Sequence, residues 1–151
     1  MKIRKELEPN IEKSEQLFPI LLDLISKFDH AFDAFDKKKM DEIIHQINLL
    51  IDKEIDKEDI YEYWGYTSAE DLAFGLTLTL PKHAFPITEE ELSEIKSRIQ
   101  ILLDADENME KSISTFLFEK EVSVASVLID EYYSLIIDHY NSTRPGNIIY
   151  L

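Results

Sequence analysis

Apolar residues recur at steps of three and four along almost the whole chain, the period of one face of an α-helix rather than the alternation of a half-buried strand. Leu17, Leu21, Leu24, Phe28, Phe32 and Phe35 form a first stripe, and Pro19 predicts a helix that starts near that residue or kinks there. Asp36 and the lysines Lys37 to Lys39 then predict a break. Met40, Ile43, Ile44, Ile47, Leu50 and Ile51 form a second stripe, so a short connection would make the two an N-terminal helical hairpin.

Between Asp52 and Asp59 the chain is a charge-dense connector, after which Ile60 to Trp64 predicts a short helix stopped by Gly65. Thr67 and Glu70 have the spacing of a capping box and open another short helix through Leu72 and Phe74. Leu76 to Leu80 alternates Leu with Thr, but Pro81 follows and no partner strand is evident, so an extended connector is expected. Thr88 and Glu91, flanked by Ile87 and Leu92 as a hydrophobic staple, predict the start of a helix that continues through Ile95, Ile99, Leu102 and Leu103. Asp104 to Asn108 then turns the chain into a helix carrying Met109, Ile113, Phe116 and Leu117.

From Val122 to Tyr140 apolar residues occupy most directions and leave Ser126, Asp130, Ser134 and Asp138 as a narrow polar seam, which predicts the most buried and central helix. The chain breaks at Asn141 and passes Pro145-Gly146 into an apolar end, Asn147 to Leu151, expected to dock back on the bundle. The expected fold is all-α: one helical bundle domain over residues 1–151, with five to seven helices, two of them short.

Composition adds a charge imbalance to this picture. The chain carries 31 Asp and Glu against 16 Lys and Arg, a formal net charge of −15, while 44% hydrophobic residues supply a core. Residues 61–151 hold 16 acidic and 6 basic side chains against 15 and 10 in residues 1–60, so an acidic binding face is expected in the second part. Such a surface repels phosphates, which disfavours nucleic acid as a direct ligand, so none is expected, and favours a basic protein partner. Met1 to Asn10 lacks the apolar core of a signal peptide and no apolar run approaches about 20 residues, so no membrane partner is expected. Absence of cysteine fits a reducing cytoplasm.

Candidate chemistry is sparse. Glu42-Ile43-Ile44-His45 has the Glu-x-x-His spacing of a carboxylate-bridged di-metal site, but no second pair exists and His30, His45, His83 and His139 are scattered. A hydrated helix face is the expectation there, with no metal or other cofactor. Asp29, Asp33 and Asp36 lie beside the first stripe as a solvated acidic flank, without the loop glycine of a calcium site. Ser112, Ser114 and Ser134 lack a base and a glycine elbow, so catalysis is not expected. Tyr61-Glu62-Tyr63-Trp64-Gly65-Tyr66 concentrates four aromatic side chains in six positions, suited either to core packing, expected for Trp64, or to a binding hot spot, as open a reading for the tyrosines.

Three segments resemble bacterial immunity proteins that neutralise bacteriocins or contact-dependent toxins. Tyr63 to Leu72 resembles an aromatic-then-helix segment of some of these acidic proteins, and Ile87 to Leu92, leading to Ile95 and Ile99, is similar to the opening helix of nuclease-colicin immunity proteins. Asn147-Ile148-Ile149-Tyr150 is similar to their apolar-tyrosine segment, although no second tyrosine stands beside Tyr150. The resemblance, over about a third of the chain, implies a cytoplasmic, non-catalytic inhibitor that occludes a basic toxin surface. Expected contacts are Glu89, Glu90 and Glu94, Asp104 and Asp106, the tyrosines Tyr61 and Tyr63, and Tyr150. A helical adaptor that docks through the segment near Trp64 is the alternative.

Overall fold

The computed structural model describes residues 3–51, 53–61, 63–81 and 86–143, and within them regular structure is helical throughout. In chain order the α-helices are α1 (Ile11–Asp33), α2 (Lys37–Leu50), α3 (Lys57–Ile60), α4 (Ala69–Thr77), α5 (Glu89–Leu103), α6 (Glu107–Ile113), α7 (Thr115–Glu119), α8 (Val124–Leu128) and α9 (Ser134–Thr143). A π segment, Ile129–Tyr133, joins α8 to α9 as one rod, which makes eight helices among the described residues rather than five to seven.

The extra helix comes from Ser114. Its backbone is extended (φ −160°, ψ 106°), and its side chain caps Leu117 N–H at 3.0 Å while its hydroxyl donates to Glu15 Oε2 at 2.8 Å. One serine thereby ends α6, starts α7 and ties the break to α1. α1 itself begins eight residues before Pro19, because Asn10 caps Lys13 N–H. Pro19 lies on the exposed side of this helix, where water can serve the carbonyl that loses its donor.

Two helix ends show how a chain with three glycines closes its turns. After α1, Phe35 N–H bonds Phe32 O and Asp36 N–H bonds Ala31 O; after α7, Glu121 N–H bonds Phe118 O and Val122 N–H bonds Leu117 O. Both are Schellman motifs, which need a left-handed residue where glycine is usual. Phe35 (φ 55°) and Glu121 (φ 66°) occupy those positions instead. Phe35 therefore leaves the apolar stripe in which the sequence places it and is 88% exposed.

Other boundaries shift for equally local reasons. Asp56 and Asp59 form a reciprocal capping box that starts α3 at Lys57, ahead of the expected Ile60, and Tyr63–Gly65 becomes a separate 3-10 turn. Ser68 rather than Thr67 caps α4. Helical structure runs through Asn141 to Thr143, past the expected break. The apolar end and Tyr150 lie outside the described residues.

α1 is the strut on which the packing converges, since it lies against both α2 and α4, while α5 packs along the rod from α8 to α9. Phe18, Leu21, Ile25 and Phe28 of α1, Ile43 and Ile47 of α2, Phe74 of α4, Ile95 of α5 and Ile136 of α9 are fully buried in one connected core. Each such side chain contributes roughly 1.5–3 kcal/mol through removal from water. The Ser14 and Thr77 hydroxyls pair at 2.7 Å inside the α1–α4 contact, so no polar atom there is left bare. Central position thus falls to α1 rather than to the helix beginning at Val122.

The π segment has a visible consequence. Ser134 N–H reaches Ile129 O, an i to i+5 bond, and the wider turn turns Tyr132 and Tyr133 inward together while Asp130 and Glu131 stay outside. Tyr132 donates to Leu7 O at 2.9 Å, and the Tyr133 hydroxyl lies 3.4 Å from Arg98 Nη1, which also donates to Glu8 Oε2 at 2.7 Å. The N-terminal segment is strapped across α5 by these bonds and by Arg4 Nε to Glu91 Oε2 at 2.6 Å.

Candidate functional site

Aromatic residues 61 to 66 are attached to α1 by an edge-to-face cluster. Phe32 meets Tyr61 at 4.7 Å and Trp64 at 5.2 Å between ring centroids, and Tyr63 meets Trp64 at 5.6 Å. Tyr63 is the inward member: it is 5% exposed and donates its hydroxyl to Asp29 Oδ2 at 2.6 Å. Burial raises the Asp29 carboxyl above its usual range, assisted by Asp33, although the Tyr63 hydrogen bond pulls the other way. Asp29 Oδ1 is buried with no hydrogen-bond partner.

The outward members form a ridge. Tyr61 is 46%, Trp64 52% and Tyr66 70% exposed, so Trp64 is a half-exposed surface residue rather than the packing residue the sequence suggests. Tyr63, one of the expected contacts, is committed to the interior.

Beside Tyr66 opens a cleft of about 450 Å³ between the connector after α2, the aromatic segment, α4 and the rod. Asn48 positions the connector by clamping Ile55, donating to its carbonyl at 2.8 Å and accepting from its N–H at 2.9 Å. Lys53, within this clamped loop, donates from Nζ to Gly75 O at 2.9 Å. That carbonyl belongs to the last turn of α4, where a cation is favoured by the helix dipole. Burial lowers the Lys53 ammonium below its ordinary value of 10.5, with Glu131 acting in opposition. Gly75 lets Glu131 lie close, since a Cβ there would stand 3.3 Å from Glu131 Cγ.

Four carboxylates, Asp59, Asp71, Asp130 and Glu131, line the cleft with this single lysine. Two are fixed by backbone donors: Asp59 accepts from Asp56 N–H at 2.9 Å and Asp71 from Ser123 N–H at 2.7 Å. Asp130 and Glu131 project from the π segment and are exposed. Leu72 and Val127 supply apolar wall between them. The excess of carboxylates gives the cleft a negative field that favours a cation over an anion.

The acidic residues expected as contacts are not gathered in this way. Glu89 and Glu90 are exposed on the first turn of α5, whereas Glu94 lies 3.4 Å from Arg98 Nε in an ion pair of α5 with itself. Asp104 and Asp106 are exposed beyond the other end of α5, about 22 Å away along a helix of 15 residues. Asp106 caps Met109 N–H at 2.9 Å. Tyr61 stands apart from both groups, on the aromatic ridge.

Lys53 and Glu131 were not singled out by sequence, because a lysine within an acidic connector resembles any solvated charge. The signal that existed was the polar seam through Ser126 and Asp130, both of which line the cleft. Among the described residues no group of three or more His, Asp or Glu side chains is placed to hold a metal ion, and no helix is long and apolar enough to cross a membrane. Glu42 and His45 are exposed on α2. Comparison of the chain with protein-family models, curated proteins and solved structures finds no match.

Proposed function

We propose that this chain is a non-catalytic binding protein of the immunity type, which acts in the cytoplasm by covering the basic surface of a bacterial toxin, a nuclease being the foremost kind. The observation that carries this reading is an exposed Tyr66 lining the four-carboxylate cleft, in the same short segment as the half-exposed Tyr61 and Trp64. Half-exposed Tyr and Trp are the side chains that anchor interfaces, since they bury large area at low entropic cost. Carboxylates around them speed encounter with a basic partner and reject acidic ones. Glu89, Glu90, Asp104 and Asp106, all exposed, extend the negative field beyond the contact itself.

Co-expression with a basic toxin from the same strain tests the proposal. The chain should restore growth and bind the toxin stoichiometrically, and charge reversal of Glu89 and Glu90 should slow association several-fold. A toxin that kills equally well in its presence would refute the inhibitor reading.

The second reading, a helical adaptor whose acidity serves solubility, draws support from Trp64, whose ring is held by Phe32 while half of its surface faces solvent. Under that reading Trp64→Ala abolishes partner binding and charge reversal is nearly silent.

A further inference from the structure

Away from the acidic cleft, an apolar groove of about 330 Å³ lies where α5, α6 and the rod meet the start of α1. We propose that this groove is the docking site of the chain's own apolar end, Asn147 to Leu151, with Ile149 and Leu151 directed into it.

The walls select an aliphatic occupant. Leu128 is buried at the bottom, but Ile11, Leu102, Met109 and Ile113 are only half-buried and Ile101 is exposed, so this side of the molecule keeps apolar surface in water that a further side chain would cover. The polar groups at the rim are already paired. Arg98 donates from Nη1 to Glu8 Oε2 at 2.7 Å and from Nε to Glu94 Oε1 at 3.4 Å, and its Nη1 also lies 3.4 Å from the Tyr133 hydroxyl. A guanidinium engaged in this way recruits no further anion, and the groove is too small for a folded element.

Reach singles out the end of this chain. Residues 144–151, outside the described residues, follow Thr143 at the end of α9, and Thr143 stands about 15 Å along the rod from Tyr133 on the groove wall. Pro145-Gly146 is a signal for a turn that sends the chain back, and Asn147 to Leu151 then spans up to about 17 Å when extended. Residues 149 and 151 share one side of an extended chain, so two aliphatic side chains point the same way. Tethering by so few residues gives the segment an effective concentration on the order of millimolar. A second copy has no such advantage and brings a net charge of −15 against the same charge.

Because the chain contains no cysteine, Tyr150→Cys carries a single nitroxide label in the full-length protein and leaves Ile149 and Leu151 in place. The label should broaden the amide NMR signals of Ile101, Met109 and Ile113 and spare that of Leu49, which lies on α2. Adding Leu151→Asp should restore the lost signals, since a charge cannot follow the segment into the groove. Ile101→Asp should restore those of Met109 and Ile113, and its exposed position lets the fold persist with an unchanged circular dichroism spectrum. Undiminished signals at the groove, equal broadening at Leu49, or broadening that survives Leu151→Asp would overturn the assignment. Mixing the labelled chain with an isotope-labelled, nitroxide-free one separates the remaining case: broadening in that second chain means that a neighbouring copy fills the groove, which also overturns it.

Discussion

Phe35 and Asp29 show how single residues carry strain that no hydrophobic pattern displays. The stripe from Leu17 to Phe35 is legible as one helical face, yet its last member sits at φ 55° in the left-handed position of a Schellman motif. Periodicity reports which face a residue would occupy if the helix continued; it does not report where the helix stops. Phe35 is 88% exposed, so Phe35→Gly relieves the backbone while forfeiting little burial. The variant is expected to be more stable by about 0.5–1 kcal/mol, read by chemical denaturation. A loss of stability would show that the phenyl ring contributes more than its exposure implies. Asp29 makes a different prediction. Burial raises its carboxyl above the ordinary value of 3.8, so the native state binds more protons than the unfolded chain just above that pH. Stability therefore falls as pH rises through this window, and Asp29→Asn should remove that slope from the pH profile of the unfolding midpoint. An unchanged profile would contradict the assignment.

Helix starts are the most legible features at the scale of elements. Thr88 and Glu91 form the expected capping box, with Thr88 Oγ1 accepting from Glu91 N–H at 3.1 Å and Glu91 Oε1 accepting from Thr88 N–H at 2.9 Å. Their spacing was enough to find it, because both partners are local. What spacing could not show is that Glu91 is also buried, with its second oxygen bonded to Arg4. Burial opposes the Glu91 charge, but hydrogen bonds from Arg4 and from Thr88 N–H outweigh it and hold the carboxyl below its usual range. Its contribution to stability is complete above the unfolded value near 4.5 and is lost as pH falls through the depressed native value. Thr88→Ala should cost about 1 kcal/mol by loss of the cap. Glu91→Gln should lower the melting temperature at neutral pH and flatten the acid limb; an acid limb identical to that of the unmodified protein would contradict the role given to Glu91. The π segment, in contrast, left no periodic trace, because Ile129 to Tyr133 reads as ordinary helix until Tyr132 and Tyr133 are both found indoors.

Across the whole molecule, the all-helical class followed from period and from the scarcity of glycine, while the grouping of charges did not. Thirty-one carboxylates on a chain of 151 residues cannot be sorted by sequence into those that cap, those that pair and those that remain free. The fold does the sorting: Asp56 and Asp106 cap helices, Glu8, Glu91 and Glu94 pair with arginines, and Asp59, Asp71, Asp130 and Glu131 meet at one cleft. The last group joins elements that are far apart in the chain, which is why a search for local motifs pointed to the ends of α5 instead. Aromatic clustering at residues 61 to 66 was legible, but the division into an inward Tyr63 and an outward Tyr61, Trp64 and Tyr66 depends on Asp29 and Phe32 of α1.

An acidic surface anchored by aromatics must couple its association rate to ionic strength and its dissociation rate to the anchors. The decisive measurement is the association rate constant for a basic toxin from the same strain, taken from low to high salt, for the unmodified chain and for Trp64→Ala. The rate should fall steeply with salt for both, while Trp64→Ala dissociates at least about tenfold faster, a change worth roughly 1.4 kcal/mol. Association that is indifferent to salt would contradict the claim that this surface recognises a basic partner.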